Sequence, residues 1–319
     1  MSFFARPWLP KRLYRSGILG MNRRNHVYIA GYNKRSLFPL VDNKLHSKKM
    51  ASSAGVAVPK LLHVVHSQHG IQQALAVFEK LDQFVIKPAK GSGGKGIMVV
   101  VERTASGWNK SGGQGIERLD IERHISNILG GLYSLGGSTD VAVIEQLVNA
   151  DPVFNDYSIS GVPDIRTIVF QGYPVMSMVR LATAASDGKA NLHQGAVGVG
   201  LDLAQGTPLR AVQFDRPVLS HPDTGLSFKQ LQVPYWREIL ELSSACFEMS
   251  GLGYLGADIV LDRDRGPQLL ELNARPGLAI QLANGQGLLP RLKKIEALTA
   301  RHDSPAARVD YVQEHFGSQ

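Results

Sequence analysis

The chain has 319 residues, a single cysteine and a formal net charge of +8. That length is enough for one large α/β unit or two domains, and the lone Cys246 excludes an internal disulfide and a cysteine-based metal site. No apolar run is long enough to span a membrane and no signal-peptide core begins the chain, so we expect a cytoplasmic protein.

The excess positive charge lies in the N-terminal arm. Residues 1–41 contain eight Lys or Arg and no Asp or Glu, and the other 27 basic residues are balanced by 27 acidic ones. This distribution argues against a nucleic-acid-binding surface. Apolar residues interleave with the charges from Trp8 to Leu19, so the arm could bind an anionic membrane, peripherally at its inner face, or an acidic protein. The favoured alternative is an arm packed on its own domain or loosely ordered.

The pattern of apolar residues predicts the elements in chain order. Helices are predicted at 42–54, 71–81, 117–133, 235–250 and 286–300. Strands are predicted at 84–89, 97–102, 141–148, 164–171 and 173–181, with a last hairpin formed by ADIVL and QLLELN. This order indicates two α+β lobes, which divide the chain into an arm (1–41), an N-terminal lobe (42–148), a C-terminal lobe (149–300) and a tail (301–319).

The last strand ends in polar side chains at alternate positions. Glu271, Asn273 and Arg275 follow an apolar run. Residues i, i+2 and i+4 of an extended chain point to one face, so we expect these three side chains to share a face.

The partner strand predicts a metal site on that face. A turn that places Leu261 opposite Gln268 also places Asp258 opposite Glu271. Facing carboxylates repel each other unless a cation lies between them, and Mg²⁺ prefers oxygen ligands that it shares with phosphates. We therefore predict that Asp258, Glu271 and Asn273 bind metal. The alternative is a solvent-facing hairpin in which water relieves the repulsion.

The stretch KPAKGSGGKG (87–96) predicts a phosphate-binding loop. Its glycines allow backbone N–H groups to approach phosphates, and Lys87 adds a positive charge. It differs from a P-loop because Gly96 and a strand follow Lys95, rather than Ser or Thr and a helix. Alone, such a loop would be an ordinary hairpin tip, but the acidic hairpin strengthens the prediction.

The order of these motifs resembles the ATP-grasp superfamily: a Lys helix, a Lys strand with a glycine loop, a Glu-containing hinge and an Asp…Glu-x-Asn pattern. The run DIRTIVFQGYPVMSMVRLAT…GKANLHQGA, with GADIV and ELNARPGL, is similar to the RimK-type alpha-L-glutamate ligases. The resemblance covers roughly residues 42–290. It implies an α+β ATP-grasp fold, two lobes clasping ATP between antiparallel sheets, after a truncated N-terminal region.

The resemblance also implies the site residues. Phosphates would meet Lys44 and Lys87 under a loop of Lys90, Gly91, Ser92, Gly93, Gly94 and Gly96. Adenine would meet the backbone of the hinge, Glu145, Gln146, Leu147 and Val148, with Asp164 near the ribose. Two Mg²⁺ ions, which Mn²⁺ could replace, would lie at the Asp258 site. The catalytic set would be Arg166, Arg180, Asn191, His193 and Arg275.

Some of these residues have other interpretations. Arg166 and Arg180 could be exposed ladder residues paired with carboxylates, and His193 could be an ordinary loop residue. Lys44 and Lys48 could form a solvated helix face. A buried, unpaired Glu145 would be costly, which favours a functional partner for it.

The implied activity is ATP-dependent ligation of a carboxylate and an amine through an acyl phosphate, adding an amino acid such as glutamate to a peptide or protein. Two alternatives stay open: an ATP-grasp enzyme for a sugar-linked or cell-envelope substrate, and a non-catalytic, membrane-associated ATP-binding adaptor. A homo-oligomer is also open, and the insertion at 103–140 could form a lid or a partner surface. We expect deletion of residues 1–24 to spare ATP binding.

Overall fold

A computed structural model describes residues 15–91 and 93–317 of the chain. These residues form a six-stranded and a seven-stranded antiparallel sheet with flanking helices. The N-terminal helix, α1, runs through an α segment Met21–Arg23, a π segment Arg24–Ile29 and an α segment Ala30–Tyr32. The other helices are α2 Phe38–Val41, α3 Lys44–Ser53, α4 Gly70–Phe78, α5 Arg118–Leu129, α6 Trp236–Ser250, α7 Ile280–Asn284, α8 Leu289–Glu296 and α9 Pro305–Phe316.

In the described part of the chain, the seven predicted strands occur in the predicted order, together with six further strands that the sequence pattern did not predict. In the smaller sheet they are β1 Leu61–Val65, β2 Phe84–Pro88, β3 Met98–Thr104, β4 Gly107–Lys110, β5 Gly115–Ile116 and β6 Ala142–Glu145. In the larger sheet they are β7 Asp164–Phe170, β8 Tyr173–Leu181, β9 Val197–Leu201, β10 Pro208–Gln213, β11 Arg216–Val218, β12 Tyr254–Asp262 and β13 Gly266–Asn273. The predicted α+β class with antiparallel sheets is confirmed.

The smaller sheet has the order β1-β6-β2-β3-β4-β5. On one face, Phe84, Ile86 and Ile144 pack in a core with residues of α4 and α5. Strand alternation turns Lys87 and Glu145 to the opposite face. That face therefore carries charge in the middle of a buried sheet.

The larger sheet has the order β11-β10-β9-β8-β7-β12-β13. One face is apolar, and Ile165, Val179 and Leu255 belong to the main core together with residues of α6 and α9. The alternate residues of β7, β8 and β12 include Asp164, Arg180 and Asp258 and point to the other face. The larger sheet therefore also has one apolar and one charged face.

Helix α3 joins the two sheets. The Asn43 side chain caps its first turn by accepting from the backbone N–H groups of Leu45 (3.0 Å) and His46 (3.2 Å). Leu45 packs with Ala89 and Val143 of the smaller sheet. Ala51, two turns later, belongs to the core of the larger sheet. The helix therefore contacts the smaller sheet through its first turn and the apolar core of the larger sheet through a later turn.

The described part of the N-terminal arm packs on the larger sheet, as one of the two sequence interpretations proposed. Leu19 and Tyr28 are buried in the main core. The backbone N–H of Leu19 donates to Gln281 Oε1 (2.8 Å), and Gln281 Nε2 donates back to Leu19 O (3.1 Å). Residues 1–14, which include Trp8, lie outside the described chain. None of the described helices is long and apolar enough to cross a membrane.

Some element ends differ from prediction. The helix predicted at 117–133 ends at Leu129, because Gly130 closes it and Gly131 has a φ of +82°. The strand predicted at 141–148 ends at Glu145, where the Gln146 N–H turns to the Lys60 carbonyl (2.9 Å). Both ends are determined by backbone angles and backbone hydrogen bonds, which the spacing of apolar residues does not reveal.

Candidate functional site

A ladder of charges crosses the larger sheet. Asp164 of β7 pairs with Arg180 of β8, and Asp258 of β12 lies between Arg166 of β7 and Glu271 of β13. Each carboxylate in the middle of the sheet therefore has a guanidinium on the neighbouring strand. Opposite charges on facing positions stabilise a ladder, whereas like charges would weaken it.

Asp258 is the centre of the ladder. It is buried, and Arg166 Nε donates to Oδ1 (2.7 Å) while Arg180 Nη2 and Asn273 Nδ2 donate to Oδ2 (2.9 and 3.3 Å). Burial opposes ionisation, but the two guanidiniums outweigh it and lower the pKa of Asp258 to about 2. Asp258 is therefore a carboxylate at neutral pH.

Asp164 and Arg180 form the second pair. Arg180 donates to both oxygens of Asp164, with a distance of 2.5 Å from Nε to Oδ1. Burial raises the pKa of Asp164, while Asp164 and Asp258 raise the pKa of Arg180 against its burial. Arg166 and Arg180 are thus paired with carboxylates, but their side chains are only 16% and 11% exposed, so their interpretation as exposed ladder residues is wrong. Their catalytic role stays a prediction.

The register of the last hairpin differs from the predicted one. Leu261 pairs with Pro267 rather than with Gln268. A β-bulge next to Asp258 places one extra residue in β13, so Asp258 still pairs with Glu271 as predicted. The shifted turn and the missed bulge each move the register by one residue, so the two errors cancel at Asp258. The sequence pattern shows neither feature.

The structure places Arg275 away from the ladder, and the prediction that it shares a face with Glu271 and Asn273 is wrong. Strand β13 ends at Asn273, and the alternation of faces holds only within a strand. The Arg275 side chain is 55% exposed and donates to Asp42 Oδ2 (2.9 Å) while it lies over the Phe38 ring.

Lys44 connects the ladder to the glycine loop. Its Nζ lies 3.0 Å from Glu271 Oε1 and donates to the Gly91 carbonyl at 2.8 Å. Only 12% of its side chain is exposed, so Lys44 is not on a solvated helix face. One ammonium therefore touches both motifs that the sequence assigned to metal and phosphate.

A second cluster of charges lies under the glycine loop. Lys87 Nζ is 2.6 Å from Glu145 Oε2, and Lys48 Nζ is 3.1 Å from Glu145 Oε1. All three side chains are buried, which rules out the solvated interpretation of Lys48. Sequence reasoning missed Lys48, although its position one turn after Lys44 puts both on one helix face.

The insertion at 103–140 supports the glycine loop from behind. Gly91 forms a bridge with Ser134, and the Lys90 N–H donates to the buried Asp140 (2.9 Å). The Lys90 ammonium donates to the Thr139 carbonyl (3.0 Å). In this structure the described insertion thus packs against the glycine loop and supports the smaller sheet.

The far end of the loop rests on the same insertion. His124 Nε2 lies 3.0 Å from the Gly96 carbonyl, and a side chain at Gly96 would meet the Tyr133 ring. Burial lowers the pKa of His124. Gly93, Gly94 and Gly96 have positive φ angles, which favour glycine, and Ser92 lies outside the described residues.

The predicted hinge lies where the two sheets join. Beyond Glu145, the Gln146 N–H donates to the Lys60 carbonyl (2.9 Å) and the Leu147 carbonyl accepts from Arg265 Nη2 (3.4 Å). Val148 follows at the same join. The structure thus places the hinge between the lobes, and its contacts with adenine stay a prediction.

A turn and a helix border the ladder beyond Arg180. Gly198 pairs with Arg180, and a side chain at Gly198 would meet Leu192 of the NLH motif. A side chain at Gly200 would meet the Ala283 carbonyl of α7. Both glycines of β9 therefore let chain segments approach the charged face closely.

The NLH motif forms a 3₁₀ turn, Leu192–Gln194. The Asn191 side chain is used locally, because its Oδ1 accepts from the His193 N–H (3.1 Å). His193 itself is exposed. The structure brings the turn to the edge of the ladder but shows no contact of the His193 side chain with it.

The proposed metal ligands fit Mg²⁺ by donor type. Within residues 15–91 and 93–317, no group of three or more His, Cys, Asp or Glu is placed to hold a metal. Asp258, Glu271 and Asn273 offer two carboxylates and an amide, and Mg²⁺ commonly uses one or two carboxylates plus phosphates and water. A cation at Glu271 would compete with the Lys44 ammonium.

A family model described as sugar-transfer-associated ATP-grasp matches residues 23–297. That description differs from the RimK type that the sequence motifs resemble. No protein with a curated function matches the chain in sequence.

Solved structures of similar shape include the ATP-grasp ligase PsnB complexed with minimal precursor (13% identity, 88% of this chain, 62% of that chain, TM-score 0.42). D-alanyl-alanine synthetase A from Vibrio cholerae O1 biovar eltor str. N16961 gives 13% identity, 87% and 66% coverage and a TM-score of 0.46. A RimK domain ATP-grasp protein from Sphaerobacter thermophilus DSM 20745 gives 13% identity and a TM-score of 0.46, with 82% of this chain and 70% of that chain covered. The chain therefore spans less than two thirds of the length of PsnB and of the synthetase.

Proposed function

Because the chain belongs to the sugar-transfer-associated ATP-grasp family, we propose that it uses Mg·ATP to activate a carboxylate and joins the acyl group to an amine. The observation that carries this proposal is the position of Lys44, which contacts the Gly91 carbonyl and the Glu271 carboxylate at once. The glycine loop and the acidic hairpin therefore meet at one point, as a site for a nucleotide and its metal requires.

The reaction has two steps. A carboxylate oxygen of the substrate attacks the γ-phosphorus, ADP leaves, and an acyl phosphate forms. The amine then attacks the carbonyl carbon, phosphate leaves, and the nitrogen loses a proton to give the amide. Both steps need charge neutralisation and positioning more than a nucleophilic side chain.

The chain supplies that charge from both sheets. Lys44 and Lys87 would bind phosphate oxygens, and the backbone N–H groups of the glycine loop would cover them. Arg166 and Arg180 keep Asp258 ionised, and this carboxylate would hold Mg²⁺ with Glu271. Bound Mg²⁺ supplies neutralisation of the phosphate charge.

The acceptor has two candidates. The RimK-like motifs favour an amino acid such as glutamate as one partner and a peptide or protein as the other. The family description favours a sugar-linked or cell-envelope acceptor. The turn Leu192–Gln194 and helix α7 border the ladder next to Arg180, and we propose this border as the acceptor side.

Product analysis tests the proposal. Purified protein is incubated with Mg·ATP and pools of amino acids, short peptides and amino sugars, and ADP and product mass are followed. We expect ADP release that depends on both a carboxylate and an amine, with a product lighter than their sum by one water. A phosphorylated product would favour a kinase instead, and nucleotide binding without release in any pool would favour the adaptor.

A further inference from the structure

The cluster of Lys48, Glu145 and Lys87 has a net positive charge, because two ammonium groups share one carboxylate. Its three side chains are buried, and both ammoniums lie within 3.1 Å of the Glu145 carboxylate. An excess buried charge is costly unless a counter-charge approaches it. The cluster is thus built to receive an anion.

The two lysines are held differently. Lys48 Nζ also donates to the backbone carbonyl of Pro59, which anchors it on a second side. For Lys87, the only partner found in the described chain is Glu145. Lys87 also lies four residues before Gly91, at the start of the glycine loop. Lys87 is therefore the lysine that is freer to turn towards a phosphate.

Lys48 lowers the free energy that is needed to turn the Lys87 side chain away from Glu145. If Lys87 were the sole partner of Glu145, the pair would be neutral, and turning Lys87 away would leave a buried carboxylate unpaired. With Lys48 in place, Glu145 keeps a partner when Lys87 leaves. Lys48 therefore competes with Lys87 for the carboxylate.

We propose that Lys48 is a positioning residue that keeps Glu145 paired and so releases Lys87 to the phosphates of the nucleotide. This rests on the proposed function, because it takes ATP as the ligand of the site. It assigns a role to a residue outside the predicted site, in nucleotide affinity rather than in chemistry.

The electrostatics of Lys48 agree with this role. Burial lowers the pKa of Lys48 to about 8, with Glu145 acting against the shift and Lys87 adding to it. Lys44 and Glu271 border the small cavity next to Lys48 and complete its charged surroundings. At neutral pH, Lys48 is mostly protonated and pairs with Glu145.

Calorimetric binding of Mg²⁺ with a non-hydrolysable ATP analogue tests the proposal. Lys48→Met should weaken binding by about tenfold or more, since Lys87 is then tied to Glu145 in a neutral pair. Lys48→Arg should bind almost as the parent does. Lys49→Met is the matched control, because Lys49 is the exposed neighbour on the same helix, and it should leave the affinity unchanged.

A second variant separates positioning from direct contact. Adding Glu145→Gln to Lys48→Met removes the carboxylate that holds Lys87, so affinity should recover. Failure to recover would overturn the proposal, as would parental affinity in Lys48→Met alone. A parent protein that binds no nucleotide would instead contradict the proposed function.

If Lys48→Met does not fold, the pH dependence of the affinity for the ATP analogue tests the proposal instead. The affinity of the parent for the analogue should fall as the pH rises through about 8, where Lys48 loses its proton. Lys48→Arg should remove this fall, because Arg keeps its charge. A parent and an arginine variant with the same profile would contradict the proposal.

Discussion

At the scale of single residues, the charged side chains of the site are held by one another before any ligand binds. Asp258 shows this most clearly, since it accepts from Arg166, Arg180 and Asn273. The sequence pointed to Asp258, Glu271 and Asn273 because carboxylates in an apolar hairpin are unusual. It did not reveal the pairing with arginine or the buried place of Lys48, since these depend on contacts between distant segments.

Asp258 should contribute stability that depends on pH. Its folded-state pKa of about 2 lies below the ordinary value of 3.8, so the contribution is present above pH 4 and is lost as the pH falls towards 2. Asp258→Asn should lower the free energy of unfolding at pH 7 by on the order of 2 kcal/mol, with a smaller difference at pH 3. Urea titrations at both pH values measure this.

The exposed Asp82 provides the control for that experiment. Asp82→Asn should leave the unfolding free energy nearly unchanged at both pH values. Equal losses for Asp258→Asn at pH 7 and pH 3 would contradict the assignment of an ionised, paired carboxylate.

At the scale of elements, the glycine loop depends on the insertion behind it. Gly96 has a φ of +74°, and a Cβ there would lie 2.4 Å from the Tyr133 ring. Apolar periodicity predicted the strands before and after the loop and the helix of the insertion, and the glycines predicted the loop. The two short strands of the insertion, β4 and β5, were not predicted. The sequence could not show that the insertion touches the loop, because Tyr133 and Gly96 are far apart in the chain.

Gly96→Ala should therefore displace the loop and weaken binding of Mg²⁺ with an ATP analogue by about tenfold, because the added methyl group overpacks the contact with Tyr133. The matched control is Gly94→Ala, since Gly94 also has a positive φ (+76°) but open space around it. We expect a much smaller effect there, and Tyr133→Ala should partly rescue Gly96→Ala. Equal effects at both glycines would show that backbone strain alone is responsible.

At the scale of the whole molecule, the N-terminal segment is part of the larger lobe. Asn33 donates to the Tyr254 carbonyl (2.7 Å), and Arg24 donates to the Pro276 carbonyl in the loop after the acidic hairpin (2.9 Å). Deletion of residues 1–24 would remove the Arg24 contact, and the expectation that such a deletion spares ATP binding stays a prediction. A basic, apolar segment looks alike in sequence whether it packs on its own domain or on a membrane.

Tyr28→Ala should destabilise the fold by about 3 kcal/mol or more, because it empties a fully buried aromatic site. Its neighbour Val27 is 42% exposed and serves as the control. Thermal or urea unfolding should show a large loss for Tyr28→Ala and almost none for Val27→Ala. Equal stability of Tyr28→Ala and the parent would contradict the packing of the arm.

The measurement that tests the central claim most directly is the Mg²⁺ dependence of ATP-analogue binding in Glu271→Ala. Glu271 links the acidic hairpin to Lys44 and the glycine loop, so its loss should reduce the Mg²⁺-dependent part of the affinity by about tenfold or more while the fold stays intact. Glu79→Ala, at an exposed ion pair with Arg118, should bind as the parent does. Parental affinity with unchanged Mg²⁺ dependence in Glu271→Ala would contradict a joint nucleotide and metal site at this hairpin.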